Sequence, residues 1–337
     1  LWNYEYNFIK SHFEFQFKDF INHWIRIESQ PVTFFNFSIF YKFGKDIAYR
    51  QAVPELGMTN NINLSSEISF NQNLVQQILD KKSFLIVGLD PNLYAMPIKD
   101  IFQFNKEIID STYDLVVGYK PQFAYYESQG LAGLDALYKT IDYIKQLPEK
   151  KLIIGDCKRS DIDSTSDAYA KAMFEYWDFD AITIVPFFGR DGILPFIQYK
   201  DKGVFIVCKS SNESGGEIQD FFSEKANLKL YEHIAKISSD LNTSKNVCLV
   251  MGATYPYELK IIREKFIDIP FLIPGVGHQK GDLSDVINNA ILNKEPNILI
   301  NSSRGIIYAS KDPQKFGQFS RSKVEEINEE ISKLYSF

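Results

Sequence analysis

Two carboxylates and a lysine stand close together at Asp156, Lys158 and Asp161. In a confined site, anionic neighbours favour the protonated form of a lysine. A protonated lysine can stabilise a developing carbanion and then deliver a proton to it. The alternative is an ion-pair network at the protein surface, because an Asp and a Lys two residues apart are common and by themselves point only weakly to a function.

Two more charged residues each follow a short apolar run: Asp90 in the string GLDPN and Lys120 in the string GYKPQF. If these runs are neighbouring strands, their ends bring both side chains to the charges at 156–161. Alternating charges gathered around one point form an electrostatic array, so the surface interpretation becomes much weaker. The catalytic group that we expect is Lys120, Asp156, Lys158 and Asp161.

Two glycine-rich runs near the end of the sequence could bind a phosphate. The first, PGVGHQKGD, covers residues 274–282, and the second, SSRG, covers residues 302–305. Glycines let the backbone approach a ligand and expose successive N–H groups, and Arg304 supplies a planar bidentate donor. The alternative is a turn whose arginine caps a helix or pairs on the surface. The presence of both runs favours a phosphate site.

A polar cluster at Ser210, Ser211 and Asn212 directly follows another apolar run. Its side chains offer hydrogen-bond donors and acceptors suited to the edge of a pyrimidine. Serine-rich turns more often cap a helix or close a turn, and that alternative stays open.

Eight apolar runs of strand length position these groups, with stretches of helical pattern between them. Near-continuous apolar strands are typical of a parallel sheet covered by helices. Eight such units over about 250 residues predict a closed (β/α)8 TIM barrel of the α/β class. The first run ends without the GxGxxG of an open dinucleotide-binding sheet. Strands are predicted at 84–89, 115–119, 152–156, 181–185, 204–208, 247–251, 271–274 and 298–301, and helices at 71–82, 133–146, 165–176, 228–241, 256–266 and 283–292.

In such a barrel, chemistry belongs at the C-terminal ends of the strands, and the loops after the seventh and eighth strands are a frequent phosphate site. Alternate residues of a strand share a face, so Asp156 and Lys158 are both expected to point toward the barrel mouth. Asp161 follows in the loop, close enough to join the charge cluster.

Composition excludes several classes of function. The 337 residues carry a formal net charge of −6, which leaves no basic field for a nucleic-acid partner. The three cysteines form no CxxC pair and the four histidines are scattered, so we expect neither disulfides nor a metal site. No apolar run reaches the roughly 18 residues of a membrane helix, and no signal peptide is evident. A cytoplasmic location is the expectation.

The composition changes near residue 58. Residues 1–57 are crowded with aromatics and show no clear helical or strand period, whereas an orderly pattern begins at Met58. We interpret residues 1–57 as an appended leader and residues 58–337 as the barrel domain. The alternative is a genuine extension that packs on the barrel.

The motifs together resemble one family, the orotidine 5'-monophosphate (OMP) decarboxylases, and within it the second bacterial subtype. The matching strings are KKSFLIVGLDPN, YKPQFAYYESQGLAGL, DCKRSDIDSTSDAYA, PGVGHQKGD and NSSRGI, in the family's order over residues 72–310. The resemblance implies a homodimer without cofactor that converts OMP to UMP, the last step of de novo pyrimidine biosynthesis. It also implies that Lys158 protonates a carbanion at C6 of the pyrimidine.

The resemblance also implies a role for each matching position. Asp90 and Lys120 would bind ribose hydroxyls, with Gln122 near the sugar, and Asp156 and Lys158 would lie against the substrate carboxylate and C6. Ser211 would contact the pyrimidine amide. Residues contributed to the neighbouring subunit's site would be Asp161, Ile162 and Thr165. The phosphate and the rest of the substrate would be held by Pro274, Gln279, Ser303, Arg304 and the backbone at Gly305.

Two rival functions remain. A phosphosugar decarboxylase of the same superfamily shares the Asp-x-Lys-x-x-Asp array but uses Mg²⁺, and the serine pair and the QKGD string favour OMP instead. A catalytically inactive barrel kept as a scaffold is the second rival, against which the complete set of charged residues argues. Lys209 and Glu213 differ from the residues usual beside the family's serine pair.

Overall fold

The computed structural model describes residues 68–276 and 281–337, which belong to one compact unit. The boundary expected at residues 57 and 58 and the expected phosphate ligand Gln279 lie outside the described residues. The fold is therefore described from the first helix, which begins at Phe70, to the C-terminus.

Eight parallel strands close into a barrel, which confirms the predicted fold. Each strand pairs with its neighbours in sequence, and the first strand also pairs with the last, where Leu85 lies opposite Ile300. The strands are β1 Leu85–Leu89, β2 Gly118–Pro121, β3 Leu152–Arg159, β4 Ala181–Ile184, β5 Gly203–Lys209, β6 Val247–Met251, β7 Phe271–Pro274 and β8 Ile298–Ser302.

Helices surround the barrel and bury the outer faces of its strands. A capping box fixes the start of the first helix. The Ser69 side chain accepts a hydrogen bond from the Gln72 N–H, and the Gln72 side chain accepts one from the Ser69 N–H. The helices are α1 Phe70–Lys81, α2 Ile101–Thr112, α3 Phe123–Glu127, α4 Gly130–Lys145, α5 Asp163–Lys171, α6 Arg190–Ile197, α7 Gly216–Gln219, α8 Leu230–Leu241, α9 Pro256–Lys265, α10 Leu283–Ala290, α11 Arg304–Ile307 and α12 Phe316–Leu334.

The eight predicted strands all exist; those at 247–251 and 271–274 have the predicted ends, and the other six differ at one end or both. The second begins at Gly118 rather than at Leu115, because Tyr113–Leu115 forms a 3-10 turn that continues α2. The helix predicted at 165–176 is split into α5 and a π-helical turn, Ala172–Tyr176. A two-stranded ribbon, Phe222–Ser223 with Leu228–Lys229, lies between β5 and α8. No helix among the described residues is long and apolar enough to cross a membrane.

The N-terminal ends of β7 and β8 are held together by a buried arginine. Arg263, 1% exposed, stacks its guanidinium on the ring of Phe271 at 3.7 Å from the centroid. Its nitrogens donate hydrogen bonds to the carbonyl oxygens of Phe266, Ile267, Ile269, Ala290 and Asn297. This cation ties α9, α10 and two strands at the end of the barrel opposite to the strands' C-terminal ends.

Candidate active site

A cavity of about 310 Å³ lies at the C-terminal ends of the strands. All eight strands, or the residues that directly follow them, contribute to its wall. Most of the residues expected to bind the substrate line it. Its lining is Asp90, Lys120, Gln122, Asp156, Lys158, Thr183, Val207, Ser210, Ser211, Asn212, Val250, Leu272, Pro274, Gly275, Val276, Asn301, Ser302, Ser303, Arg304 and Gly305.

The Asp156 carboxylate is the most heavily bonded group in the cavity. Its Oδ2 accepts from Lys120 Nζ at 2.7 Å and from Gln122 Nε2 at 2.9 Å. Its Oδ1 accepts from Lys158 Nζ at 2.5 Å and from Thr183 Oγ1 at 2.9 Å. Since the Asp156 side chain is only 9% exposed, these four donors take the place of water around its charge.

The two lysines beside Asp156 have different surroundings. The Lys120 side chain is 5% exposed, whereas that of Lys158 is 49% exposed at the cavity mouth. Burial by itself lowers the pKa of Lys120, but the carboxylates of Asp156 and Asp90 outweigh it and the pKa is raised. Lys120 is therefore a fixed cation in the cavity wall, whereas the Lys158 ammonium is accessible to a ligand that binds in the cavity.

Asp156 and Asp90, the two carboxyls of the cavity, have pKa values shifted in opposite directions. Burial acts to raise the pKa of Asp156, but the charges of Lys120 and Lys158 and their hydrogen bonds hold it well below its usual range. Burial raises the pKa of Asp90, and the opposing effects of Lys120 and Ser303 are too small to reverse the shift. One site thus contains a permanent anion and a carboxyl that is more easily protonated.

Lys158 reaches the cavity from an irregular part of β3 rather than by simple strand alternation. Gly155 pairs with Ile182 and Arg159 pairs with Ile184, so four steps along β3 span two steps along β4. Lys158 has a φ of 45°, in the left-handed region that non-glycine residues seldom adopt. Asp156 and Lys158 line one cavity as expected, and Lys158 does so from within the irregular part of β3.

The ends of β1 and β8 approach each other closely beside Asp90. A Cβ on Gly88 would lie 1.9 Å from Ser303 Oγ, so only glycine fits there. The Tyr308 hydroxyl donates to the Asp90 carbonyl oxygen at 2.6 Å and accepts from Asn92 N–H at 2.7 Å. The segment that carries Asp90 is thereby joined to the segment that follows the SSRG run.

The expected phosphate ligands lie together where they can be described. Pro274, Ser303, Arg304 and Gly305 line one side of the cavity, next to Gly275, which has a φ of 99°. Arg304 lines the cavity, and no ion pair within residues 68–276 and 281–337 includes it, while the space that a Cβ on Gly305 would occupy is open. Backbone N–H groups and a guanidinium beside an open pocket suit a phosphate dianion.

The polar loop after β5 is braced from behind. Gln219 accepts from Ser210 N–H at 3.0 Å and donates to Ser210 Oγ at 2.7 Å. The Tyr255 hydroxyl donates to the Asn212 carbonyl oxygen at 3.1 Å. Lys209, which is fully buried, forms an ion pair of 2.7 Å with Asp220. The departure noted at Lys209 is therefore part of the support of this loop, and Ser210, Ser211 and Asn212 all face the cavity.

Three predicted site residues do not line the cavity of their own chain. Asp161 Oδ1 accepts from the N–H of Ile162 at 2.8 Å, whereas the two lysines of the cavity form their ion pairs with Asp156. Ile162 is 51% exposed, and Thr165 is also exposed at the start of α5. Their expected role at a neighbouring subunit's site is not tested by a single chain.

Sequence reasoning missed two polar residues of the cavity, Thr183 and Asn301. Both are buried, at 2% and 6% exposure, and Asn301 Nδ2 donates to Ser303 Oγ at 3.2 Å. Each is a polar residue within or at the end of an otherwise apolar run, AIT and ILIN. That interruption is the signal that could have found them, because a buried polar side chain requires a partner.

The sequence matches a family model described as the Orotidine 5'-phosphate decarboxylase / HUMPS family over residues 83–318. The chain belongs to this family. The match begins just before β1 and ends within α12, so it includes every strand of the barrel.

Curated relatives and solved structures agree with the family. Orotidine 5'-phosphate decarboxylase of Flavobacterium johnsoniae is 39% identical over 269 residues, which are 78% of this chain and 97% of that protein. The structure of Leishmania donovani OMP decarboxylase aligns with a TM-score of 0.69 and 31% identity, over 78% of this chain and 98% of that one. Leishmania donovani UMP synthase aligns with a TM-score of 0.71 and 33% identity over 79% of this chain, which spans 56% of that protein.

Proposed function

We propose that this enzyme is a carboxy-lyase that converts OMP to UMP and CO2, the last step of de novo pyrimidine biosynthesis. The observation that carries the proposal is the pair of lysines, one buried and one at the cavity mouth, that grip the Asp156 carboxylate within a barrel of this family. The Asp156 carboxylate, fixed between the two ammonium groups, repels a second carboxylate placed beside it. Loss of that second carboxylate as neutral CO2 is therefore favoured.

The proposed reaction breaks one bond and forms one. The bond between C6 and the carboxylate carbon breaks, the electron pair stays on C6, and CO2 leaves. Lys158 Nζ then donates a proton to C6, and the neutral lysine regains a proton from water. The permanent charge of Asp156 keeps an anion near the departing carboxylate, and the Lys158 ammonium compensates the charge that develops on C6.

The rest of the cavity binds the parts of the substrate that do not react. Asp90 and Lys120 bind the ribose hydroxyls with Gln122 nearby, and Ser211 binds the pyrimidine amide. Arg304, the backbone of Ser303 and Gly305, Pro274 and Gln279 hold the phosphate end. Remote binding energy of this kind can organise the charged groups, and the reaction demands stabilisation toward the top of the ~8–23 kcal/mol that enzymes supply.

We also propose a homodimer with shared sites, in which Asp161, Ile162 and Thr165 of one chain complete the cavity of the other. Exposure of Ile162 at 51% and the absence of these residues from their own cavity support it. A cytoplasmic location accords with three free, buried cysteines. The homodimer and the roles of single residues rest on the family resemblance.

The decisive experiment follows the absorbance of OMP after purified protein is added without metal and in the presence of EDTA. Loss of OMP absorbance with formation of UMP supports the proposal. Turnover that requires added Mg²⁺, on a phosphosugar acid instead of OMP, would replace it with the phosphosugar decarboxylase. Tight binding of a barbiturate nucleotide distinguishes a functional cavity from an inactive scaffold.

A further inference from the structure

The polar residue of β4 lies in the wall of the cavity. Thr183 is 2% exposed, and the other residues of its strand, Ala181, Ile182 and Ile184, are buried and apolar. A threonine in such a place costs free energy unless its hydroxyl finds hydrogen-bond partners. Its partners therefore indicate what the hydroxyl is for.

The Thr183 hydroxyl bonds to the two residues at the centre of the charge array. Oγ1 accepts from Lys158 N–H at 3.1 Å and donates to Asp156 Oδ1 at 2.9 Å. A backbone N–H can only donate, so the hydroxyl must accept from Lys158, and its own hydrogen is free for the carboxylate. One hydroxyl thus links the backbone of one charged residue to the side chain of the other.

The link occurs where the backbone is strained. Lys158 has a φ of 45°, in a region that a non-glycine residue occupies only at a cost in free energy. The register shift between Gly155 and Arg159 takes Lys158 out of the regular ladder with β4. Thr183 gives the Lys158 N–H the partner that the ladder no longer supplies.

We propose that Thr183 is a positioning residue for the decarboxylation, and this inference rests on the proposed function. Its hydroxyl holds Lys158 in the left-handed conformation that turns the side chain toward Asp156. It also fixes the orientation of the carboxylate, whose Oδ1 receives Lys158 Nζ at 2.5 Å. Without the hydroxyl, the Lys158 N–H loses its partner, the strained backbone relaxes, and the ammonium moves from its place beside Asp156.

The test compares Thr183→Val, which keeps the shape and removes the hydroxyl, with Thr183→Ser, which keeps the hydroxyl. We expect kcat of the valine variant to fall about 100-fold, the loss that a misplacement of roughly 1 Å can cause. The KM for OMP should change less than about threefold, because the binding groups remain. The serine variant should recover kcat to within about threefold of the wild type.

A second readout separates positioning from folding. Exchange of the C6 hydrogen of UMP in heavy water, followed by NMR, reports formation of the carbanion alone and should fall in parallel with kcat. The matched control is Thr140→Val, because Thr140 Oγ1 also accepts one hydrogen bond, from Asn105, and donates one, to the Ala136 carbonyl oxygen, away from the cavity. The control should lose stability and keep kcat.

Each result decides the matter. A valine variant with wild-type kcat and exchange rate overturns the role of Thr183 while leaving the proposed function in place. Equal losses in the valine and serine variants, or a loss of kcat in Thr140→Val of the same size, would show a merely structural role. If the valine variant does not fold, Thr183→Ala takes its place. A wild-type chain that does not decarboxylate OMP overturns the proposed function, and the positioning role with it.

Discussion

At the scale of single residues, the cavity contains two carboxyls, Asp156 and Asp90, whose surroundings shift their pKa values in opposite directions. Asp156 accepts hydrogen bonds from four side chains and remains charged. Asp90 is half-buried, its Oδ1 has no hydrogen-bond partner among the described residues, and burial raises its pKa. The difference follows from the number of donors around each group, since burial opposes ionisation in both.

Replacement of Lys158 by alanine should abolish turnover, because the change removes both the cation beside C6 and the proton donor. We expect kcat to fall at least about 10⁴-fold, the upper end of the effect of a positioned acid. Affinity for UMP should stay within about tenfold, since the remaining lining is intact. Steady-state kinetics and calorimetric titration with UMP measure the two quantities. Lys200→Ala, an exposed lysine, is the control, and near-normal kcat in Lys158→Ala would contradict the mechanism.

Replacement of Asp156 by asparagine should destabilise the fold in a pH-dependent way. It leaves Lys120 buried without its partner, which costs roughly 3–5 kcal/mol at pH 7. Because the folded-state pKa of Asp156 lies below its unfolded value, the stabilisation is fully present above the unfolded value of about 3.9 and disappears as pH falls through the folded value. Urea unfolding of both proteins between neutral and acidic pH measures the difference.

The matched control for Asp156→Asn is Asp201→Asn, an exposed carboxyl outside the cavity. It should change the free energy of unfolding by less than about 0.5 kcal/mol at every pH. A difference between wild type and Asp156→Asn that grows on acidification would contradict the predicted sign.

At the scale of elements, the segments after β1 and β8 act as one support. The Tyr308 hydroxyl bridges them through Asp90 and Asn92, and its ring stacks on Phe104 at 5.9 Å. Asp90, the expected ribose ligand, is therefore joined to the segment of Arg304, the expected phosphate ligand, by contacts of Tyr308 that involve neither of the two side chains.

Tyr308→Phe should loosen this support without opening a cavity. We expect a loss of about 1 kcal/mol in the free energy of unfolding, the usual contribution of one hydrogen bond. The kcat/KM for OMP should fall about tenfold, because Asp90 is less firmly placed. Thermal unfolding and steady-state kinetics measure the two effects. Tyr199→Phe removes a hydroxyl bound to Glu175 on the surface and should keep kcat/KM, and equal kinetics in both variants would refute the coupling.

The elements were largely predictable because each barrel strand is an apolar run that is buried on both faces. The runs at 152–156 and 247–251 begin where the strands begin. Six helices were not predicted, α2, α3, α6, α7, α11 and α12, although Asp100, which caps the start of α2, was a signal in the sequence. The start of β2 was misplaced because Leu115, although apolar, ends a 3-10 turn.

The charged residues of the site were predictable, but the geometry that arranges them was not. A strand end predicts where Asp156 and Lys158 lie, and nothing in DCKR predicts a bulge with a φ of 45° at Lys158. The role of Thr183 depends on the register between β3 and β4, which is a property of two distant segments. Local sequence carries residue type and spacing, whereas register is decided by packing of the whole sheet.

At the scale of the whole barrel, the contacts of Arg263 stabilise the end opposite to the cavity. Arg263→Met should cost about 3 kcal/mol or more of unfolding free energy, because it removes the donor to the buried carbonyl oxygens of Ala290 and Ile269. The kcat of the folded fraction should stay within about twofold, since the cavity is at the other end. Urea unfolding and active-site-normalised kinetics measure both. A stable variant with impaired kcat would contradict this separation.

The proposed shared sites make activity a property of the pair of chains. Lys158→Ala and Asp161→Ala should each be inactive, but mixing them and allowing subunits to exchange should restore about one quarter of wild-type activity, since half of the dimers then hold one intact site. Mixing Lys158→Ala with the double variant Lys158→Ala/Asp161→Ala should restore no activity, because neither chain then supplies Lys158. No recovery in the first mixture, with exchange demonstrated by mass spectrometry, would place Asp161 in the site of its own chain or outside any site.

The closed sheet has a consequence for synthesis of the chain. β1 finds its second neighbour only in β8, which ends at Ser302. While a ribosome extends the chain, β1 and β7 each keep an unpaired edge until those last strand residues emerge, and such edges pair readily with other chains. Closure of the barrel therefore waits for synthesis of β8, and the pairing of β1 with β8 also brings Asp90 to Ser303.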